Sequence, residues 1–506
     1  MNIPSLVGVR NSAESGKLPS YVPENVFVDI GINKMISDNM MEFLSLPESE
    51  KNIILRQNVF REVLDADEGC YEKFAVLAED LTEIIRAEEK ISRAEAEIEK
   101  DVLFVALSSL IKSFVTKSAA LVKFRKGELI AEYQRYFQSL AESDEYKSFS
   151  EEHALIESEI FGINSNTLRV TANGKVFISE KGNSDTAMLS KLQKYIADLG
   201  LTDLPQYARQ KRVIPTSVLS AIAGIYPGVF SKVKGFRSEF ASFVKGDMKR
   251  CLKEFEFYIE GKKLCDKFKA HGIKVCFPEV AKTPVYQAKN LYDISLLSAG
   301  CKIIPNDAEF DENDNFFFLT GANGGGKTTY IRTVGIAIVF FLSGCFVPCE
   351  SAKIYPFKRV FSHFPKDERF AGTGRLVEEE QRASEMMMES DADTFAMFNE
   401  TFSGTDEVKS AQMTESLGRE CVQKGVFGIY VTHIHGIADT GIPILNVIVD
   451  TDDDNRRTFR VVRRDSVRSS FANDILKKYG LTSEQLKGKS SQMKSMDESE
   501  SEVRAI

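Results

Sequence analysis

Gly321-Ala-Asn-Gly-Gly-Gly-Lys327-Thr328 fills every fixed position of the phosphate-binding pattern G-x-x-x-x-G-K-[ST]. The apolar run Phe316-Phe-Phe-Leu319 leads in as a buried strand does, and residues 329–342 lead out with helical, apolar character. Glycines in such a loop let backbone N–H groups turn toward a phosphate chain, and the following helix presents its positive end to the same anion. The nucleotide-binding residues expected here are Gly321, Asn323, Gly324, Gly325, Gly326, Lys327, Thr328 and Thr329. Lys327 would reach the β- and γ-phosphates of ATP, and the Thr328 hydroxyl would ligate Mg²⁺.

The 506 residues hold about three domains' worth of chain. The apolar run 335–346 is far shorter than the roughly 20 residues that span a bilayer. The first residues, MNIPSLVGVRNSAES, lack a charged-then-apolar signal pattern, so a cytoplasmic protein away from membranes is expected. Eight scattered cysteines include no C-x-x-C pair and read as buried free thiols in a reducing compartment. A net charge of −9 argues against a basic nucleic-acid coat but leaves room for a local basic surface. Lys112, Lys117, Lys123, Arg125, Lys126 and Arg135 form the most concentrated such group; they read either as a DNA contact or as a solvated helix face.

Periodicity divides the chain. Residues 1–30, with three prolines and several Ser and Gly, read as weakly structured. From 31 to 285 the pattern is mostly helical, with Leu64, Phe74, Leu77, Leu81, Ile84 and Ile85 at three- and four-residue spacing. IIRAEEKISRAEAEIEK, residues 84–100, is nearly free of breakers and reads as one long solvated helix. Alternation on both sides of Asn173-Gly174 predicts a small hairpin over 167–179. Helical pattern resumes at 184–199 and 217–271. Short β-like runs then alternate with helices at 316–319, 394–398, 428–432, 445–450 and 458–462, as in an α/β nucleotide-binding domain over 286–485. Residues 486–506 read as a disordered tail.

Residues beyond the loop narrow the class. The run Thr394-Phe-Ala-Met-Phe398 ends in Asn399-Glu400, where many ATPases end a strand in Asp-Glu. There the first acid holds the Mg²⁺ water shell and the second orients or deprotonates the attacking water. Asn399 offers an amide oxygen without the charge, so weaker Mg²⁺ binding and slow turnover are expected. Metal-side candidates are thus Thr328, Asn399 and Glu400, and Glu400 is the candidate base. His433 follows a second buried strand, where ABC-type ATPases place a γ-phosphate sensor; a lone His after an apolar strand is otherwise usually structural. Ala371-Gly-Thr-Gly374, opening an acidic helix, is a second anion-site candidate.

Together these residues resemble the C-terminal ATPase domain of the MutS family of DNA mismatch repair proteins. The family loop G-P-N-M-G-G-K-S-T is similar to Gly321-Ala-Asn-Gly-Gly-Gly-Lys-Thr-Thr329, with Tyr330-Ile-Arg332 following. Ile304-Pro-Asn-Asp307 resembles the pre-loop segment, and Gly344-Cys-Phe-Val-Pro348 the G-x-F-V-P segment. The family's D-E-x-G-R-G-T stands here as Asn399-Glu-Thr-Phe-Ser-Gly-Thr405, its A-T-H as Val431-Thr-His433, and its S-T-F-M-V-E as Thr373-Gly-Arg-Leu-Val-Glu378. The resemblance implies an ABC-type P-loop ATPase domain preceded by helical lever and clamp segments. It implies ATP and Mg²⁺ as cofactors and a homodimer that closes around double-stranded or structured DNA, in mismatch repair, damage sensing or DNA-structure recognition. Thr373 would cap the partner subunit's ATP. The chain departs from the family in leaving no room for an N-terminal mismatch-reading domain, in lacking its Phe-x-Glu motif within residues 1–30, and in having no nuclease module. Asn399 and the altered signature at Thr373 make a slow ATPase one expectation. A non-catalytic, ATP-gated scaffold for protein partners is the opposing one. An SMC-like or transporter ATPase is disfavoured by the missing L-S-G-G-Q signature.

Overall fold

The computed structural model describes residues 3–8, 21–121, 129–164, 167–170, 176–179, 216–244, 246–300, 303–365, 375–402, 406–434, 440–448 and 458–464. In chain order the helices are α1 (Glu24–Asp29), α2 (Asp38–Leu44), α3 (Glu50–Leu64), α4 (Glu68–Arg93), α5 (Glu97–Ala119), α6 (Leu129–Glu142), α7 (Asp144–Asn164), α8 (Thr216–Ile225), α9 (Pro227–Val244), α10 (Met248–Ala270), α11 (Lys327–Leu342), α12 (Arg375–Met388) and α13 (Glu407–Gln423). The strands are β1 (Thr167–Val170), β2 (Val176–Ser179), β3 (Glu279–Val280), β4 (Tyr286–Leu291), β5 (Asn306–Phe310), β6 (Phe316–Gly321), β7 (Ser351–Ile354), β8 (Arg359–His363), β9 (Thr394–Asn399), β10 (Phe427–Val431), β11 (Ile444–Ile448) and β12 (Arg460–Arg464). Contacts gather these into two compact units: Met1–Val9 with Asn58–Lys263, and Arg10–Gln57 with Leu264–Ile506.

Among the described residues the first unit is helical, apart from the antiparallel pair β1–β2 that the Asn173-Gly174 sequence predicts. The Asp67 side chain caps α4 by accepting from Cys70 N, and Cys70, Phe74, Leu77, Ala78, Leu81 and Ile84 form its buried stripe. The helix expected over 84–100 is broken. Ala94 turns extended (ψ 132°) and α5 restarts at Glu97. Beyond Ile84 the sequence has no broad apolar face to bury, whereas α5 has Phe104, Leu107, Ile111 and Phe114 buried, so folding back onto α4 gains more than continuing straight. Helix α5 has the length and apolarity of a membrane span. It lies instead as a core helix, with Asp101 held 3.0 Å from Arg237. Phe149 packs against Phe236, Phe240 and Phe243, and burying each such ring contributes about 1.5–3 kcal/mol.

Ile3, Leu6 and Val7 are buried. Glu254 accepts from Leu6 N at 2.8 Å, and Tyr258 donates to Leu6 O at 2.7 Å, so α10 holds this segment down. Residues 31–57 and 264–285, expected with the helical region, belong to the other unit. There Arg56, fully buried, pairs with Glu48 at 2.6 Å and donates to Ser343 O at 3.1 Å, at the end of α11. The helical pattern expected over 217–271 forms three helices, interrupted before Pro227 and again before Met248. The helix expected over 184–199 and the tail from 486 lie outside the described residues.

The second unit is built on a six-stranded sheet in the order β12-β11-β6-β10-β9-β8, parallel except for the β12 edge. All five expected β runs overlap its strands, with 449–450 outside the described residues. A second sheet, β3-β7-β4-β5, lies in the same unit. Strand β6 is buried on both faces, as a central parallel strand must be. Helix α11 is apolar nearly all round and buried from Tyr330 to Leu342 except Arg332. Its Gly335 permits the close approach to the sheet, because a Cβ there would stand 2.6 Å from Met397 Sδ.

Candidate functional site

Strand β6 delivers Gly321 to the carboxyl edge of the sheet, the end at which ligands bind in open α/β sheets. The loop then turns tightly, with Gly325 N donating to Ala322 O at 2.9 Å. Gly324 (φ 70°) and Gly326 (φ 98°) take the left-handed conformations that side chains disfavour. Gly326 is the N-cap of α11 and brings no side-chain acceptor, so the first-turn amides at Lys327, Thr328 and Thr329 present the positive end of the helix to the loop. Asn323 and Gly324 are exposed, Gly325 and Lys327 buried, and Thr328 and Thr329 half-buried. This cradle suits a phosphate chain, which needs convergent N–H donors and a cation.

Lys327 Nζ donates to Gly321 O at 2.9 Å and Ala322 O at 3.2 Å, and lies 3.3 Å from His433 Nδ1. His433 Nε2 in turn is 2.6 Å from Glu400 Oε1. An ammonium can only donate, so His433 Nδ1 accepts and the ring proton belongs on Nε2, directed at Glu400. The hydrogen bond from His433 holds the Glu400 carboxyl below its usual range, against burial that raises it. Burial pulls the Lys327 ammonium down, and the Glu400 charge partly offsets that. The structure therefore brings together a cation, an imidazole and a carboxylate that the sequence separates by up to 106 positions.

Asn399 closes β9 opposite Val431. It is buried, and its Oδ1 has no hydrogen-bond partner among the described atoms. A buried acceptor without a donor is costly. An amide oxygen in that state fits a donor supplied from outside the chain, such as a metal-bound water. The donor set for Mg²⁺ would be Thr328, Asn399 and Glu400, hard oxygens that suit this cation.

The turn after Asn399 is held by residues that the motifs do not contain. Glu400 (φ 51°) and Phe402 (φ 69°) both have left-handed backbones without being glycine. Glu400 N donates to Val431 O at 2.9 Å. Phe402 N donates to Glu379 Oε2 at 3.1 Å, Thr401 Oγ1 pairs with His363 Nδ1 at 3.1 Å, and Tyr430 donates to Thr401 O. Thr414 lies 3.0 Å from the Tyr430 hydroxyl. Glu379 sits in the run Glu378-Glu-Glu380 of the acidic helix, and the sequence reading assigns it no role. The missed signal is its place on α12 in line with Leu376, Ala383 and Met387, the stripe that packs on the core.

Thr373 lies outside the described residues, as do Lys123, Arg125 and Lys126. In the helical unit, Lys112 donates to Ser150 O at 3.2 Å and lies 3.4 Å from His153 Nδ1. Lys117 reaches both carboxylate oxygens of Asp80, at 2.7 and 2.8 Å.

Residues 317–497 match the family model of MutS domain V. The chain is 27% identical over 166 residues to the DNA mismatch repair protein MutS of Lactobacillus delbrueckii, covering 32% of this chain and 19% of that protein. It is 26% identical over 198 residues to the MutS of Chlorobium limicola (37% of this chain, 22% of that protein). It is 27% identical over 145 residues to the DNA mismatch repair protein msh-2 of Neurospora crassa (27% and 16%). The chain thus spans about a fifth of the length of the curated relatives it matches.

Proposed function

We propose that this chain, a MutS-family protein through its domain V, is an ATP-gated DNA-binding protein with slow hydrolysis. The observation that carries the reading is the linkage Lys327–His433–Glu400 at the amino end of α11, beside the buried and unpartnered Asn399 Oδ1. ATP is the substrate class, because the loop's N–H donors and Lys327 answer to a triphosphate. On binding, Lys327 would exchange the carbonyls of Gly321 and Ala322 for phosphate oxygens. His433, already between Lys327 and Glu400, would sense the γ-phosphate through the change on its Nδ1 side. Glu400, once released from His433 Nε2, would accept a proton from the attacking water. Mg²⁺ supplies charge neutralisation on the phosphates when bound, and Thr328, Asn399 and Glu400 would hold it. An amide at 399 weakens that hold and accounts for slow turnover.

The reading extends to a cytoplasmic homodimer in which Thr373 caps the partner subunit's ATP and the helical units engage double-stranded or structured DNA, as in mismatch repair. The relatives' names support the mismatch-repair part of that extension, the dimer and the Thr373 cap rest on the resemblance of the motifs, and no element among the described residues specifies base reading. A second reading, an ATP-gated scaffold for protein partners, is favoured by one observation: Lys112 and Lys117 are engaged within the helical unit by Ser150, His153 and Asp80. ATP-dependent retention of the purified chain on end-blocked DNA separates the two. Retention that falls steeply with salt supports the DNA reading, because phosphate contacts release counterions. ATP binding with no retention at low salt supports the scaffold.

A further inference from the structure

Seven of the eight cysteines are described, all as free thiols. Six are buried, and the seventh, Cys276, is partly exposed. Several have ordinary core surroundings: Cys421 faces the Met387 thioether at 3.7 Å, and Cys70 is tied to Asp67. Cys276 and Cys349 differ, because their sulfurs lie 3.2 Å apart across 73 positions of sequence.

The backbone fixes that approach. Cys276 and Val347 exchange hydrogen bonds in both directions, at 2.9 and 2.8 Å. Cys349 N donates back to Val347 O at 2.9 Å. The flanks are pinned as well, with Tyr292 N on Pro348 O, Glu350 N on Lys289 O, and Lys274 paired with Glu350 at 2.8 Å. Joining the sulfurs would shorten their separation from 3.2 Å to a bonded distance of about 2.05 Å.

We propose that Cys276 and Cys349 form a peroxide-oxidisable dithiol that closes to an intrachain disulfide. Cys276 is the attacking thiol, since it is the more exposed of the two. A hydrogen bond from the Cys349 thiol favours its thiolate, against burial, whereas Cys349 is pushed in the opposite direction. The Cys276 sulfur attacks a peroxide oxygen, the O–O bond breaks, and Cys276 becomes a sulfenic acid as one water leaves. Cys349 Sγ then attacks that sulfur, the S–S bond forms, the S–O bond breaks and a second water leaves. Two thiols and one hydrogen peroxide give one disulfide and two waters, with two electrons passing from sulfur to oxygen.

The ring so closed contains β4, β5, β6, the phosphate loop and α11. The bridge would staple the segment after α10 to the segment after α11, and so fix both ends of the region that carries the nucleotide cradle. Reduction by a dithiol would reopen it.

The test uses the full chain, treated with hydrogen peroxide, alkylated, and mapped by mass spectrometry without reduction. The expected result is loss of two of the eight alkylatable thiols, a cross-linked peptide pair containing Cys276 and Cys349 that is two hydrogens lighter than its separate parts, and recovery of both thiols with dithiothreitol. Cys276→Ser should keep all its remaining thiols under the same dose. Cys349→Ala should trap Cys276 as a sulfenic acid that dimedone labels. Oxidation of Cys276 to sulfinic acid in the wild type without a cross-link would overturn the proposal. So would a cross-link from Cys349 to Cys345, or thiols unchanged by peroxide.

Discussion

Two turns meet at the candidate site, and they are built on opposite principles. The phosphate loop obtains its left-handed backbone from glycine, at Gly324 and Gly326, where that conformation costs little. The turn after Asn399 demands the same conformations of Glu400 and Phe402, at about 1–2 kcal/mol each. Phe402 stands where the family pattern D-E-x-G-R-G-T carries glycine. What offsets its strain is tertiary: the Phe402 ring is buried in the core, and its N–H is fixed by Glu379 of α12. One turn is therefore a property of its own residues. The other is a property of α12, β8 and β10, which supply Glu379, His363 and Tyr430.

The contrast is broken most severely at Lys327. Lys327→Ala removes the loop's only cation and should weaken ATP binding by about a hundredfold or more, read by nucleotide titration. Affinity within a few-fold of wild type would sink the assignment of the loop. Glu400→Gln should leave ATP bound while hydrolysis falls by about a hundredfold or more, trapping the nucleotide state. Turnover at the wild-type rate would mean that Glu400 is not the base.

Glu379 sharpens the comparison, because it belongs to the second turn alone. Glu379→Ala should leave a buried Phe402 N–H without its acceptor, lowering stability by about 1–3 kcal/mol. It should also slow hydrolysis by roughly tenfold, with ATP affinity nearly unchanged, since misaligning a catalytic group costs rate more than binding. Glu379→Gln retains a carbonyl acceptor and should recover most of both. Equal loss of ATP affinity in both variants would show that the two turns are not separable.

Smaller effects test the metal side and the carboxylate. Asn399→Asp puts a charge where Oδ1 is buried and unpartnered, so Mg²⁺ affinity or hydrolysis should rise several-fold. An unchanged rate would mean that the site is rebuilt around the amide. The smallest effect is on stability in acid. The folded state lowers the Glu400 pKa from 4.5, so its contribution is complete above about pH 4.5 and is lost as pH falls through the depressed folded value. The stability difference between wild type and Glu400→Gln should therefore narrow below that pH in thermal melts. A difference constant across that range would show that the His433–Glu400 contact is not maintained in solution.

Legibility followed the range of the interactions. The parallel strands announced themselves as short apolar runs between turn residues, and the loop as a local pattern with the right flanks. The break at Ala94 was invisible, because no glycine or proline marks it; only the chance to bury α5 decides it. The burial of Ile3, Leu6 and Val7 was masked by nearby Pro and Ser, although the three apolar residues were in plain view.

The sequence by itself determined the phosphate loop, the Lys327 cation, the asparagine at 399 and the five apolar runs on β6, β9, β10, β11 and β12, because each depends on residues within a turn or two of one another. The tertiary structure alone decided that His433 bridges Lys327 and Glu400, that Glu379 enters the core from an acidic run, and that Cys349 meets Cys276 across 73 positions although Cys345 is only four residues from Cys349. Those pairings span 23 to 106 positions, and no local pattern encodes them. They exist because sheet register and helix packing bring distant segments to one edge, where burial makes each polar group find a partner.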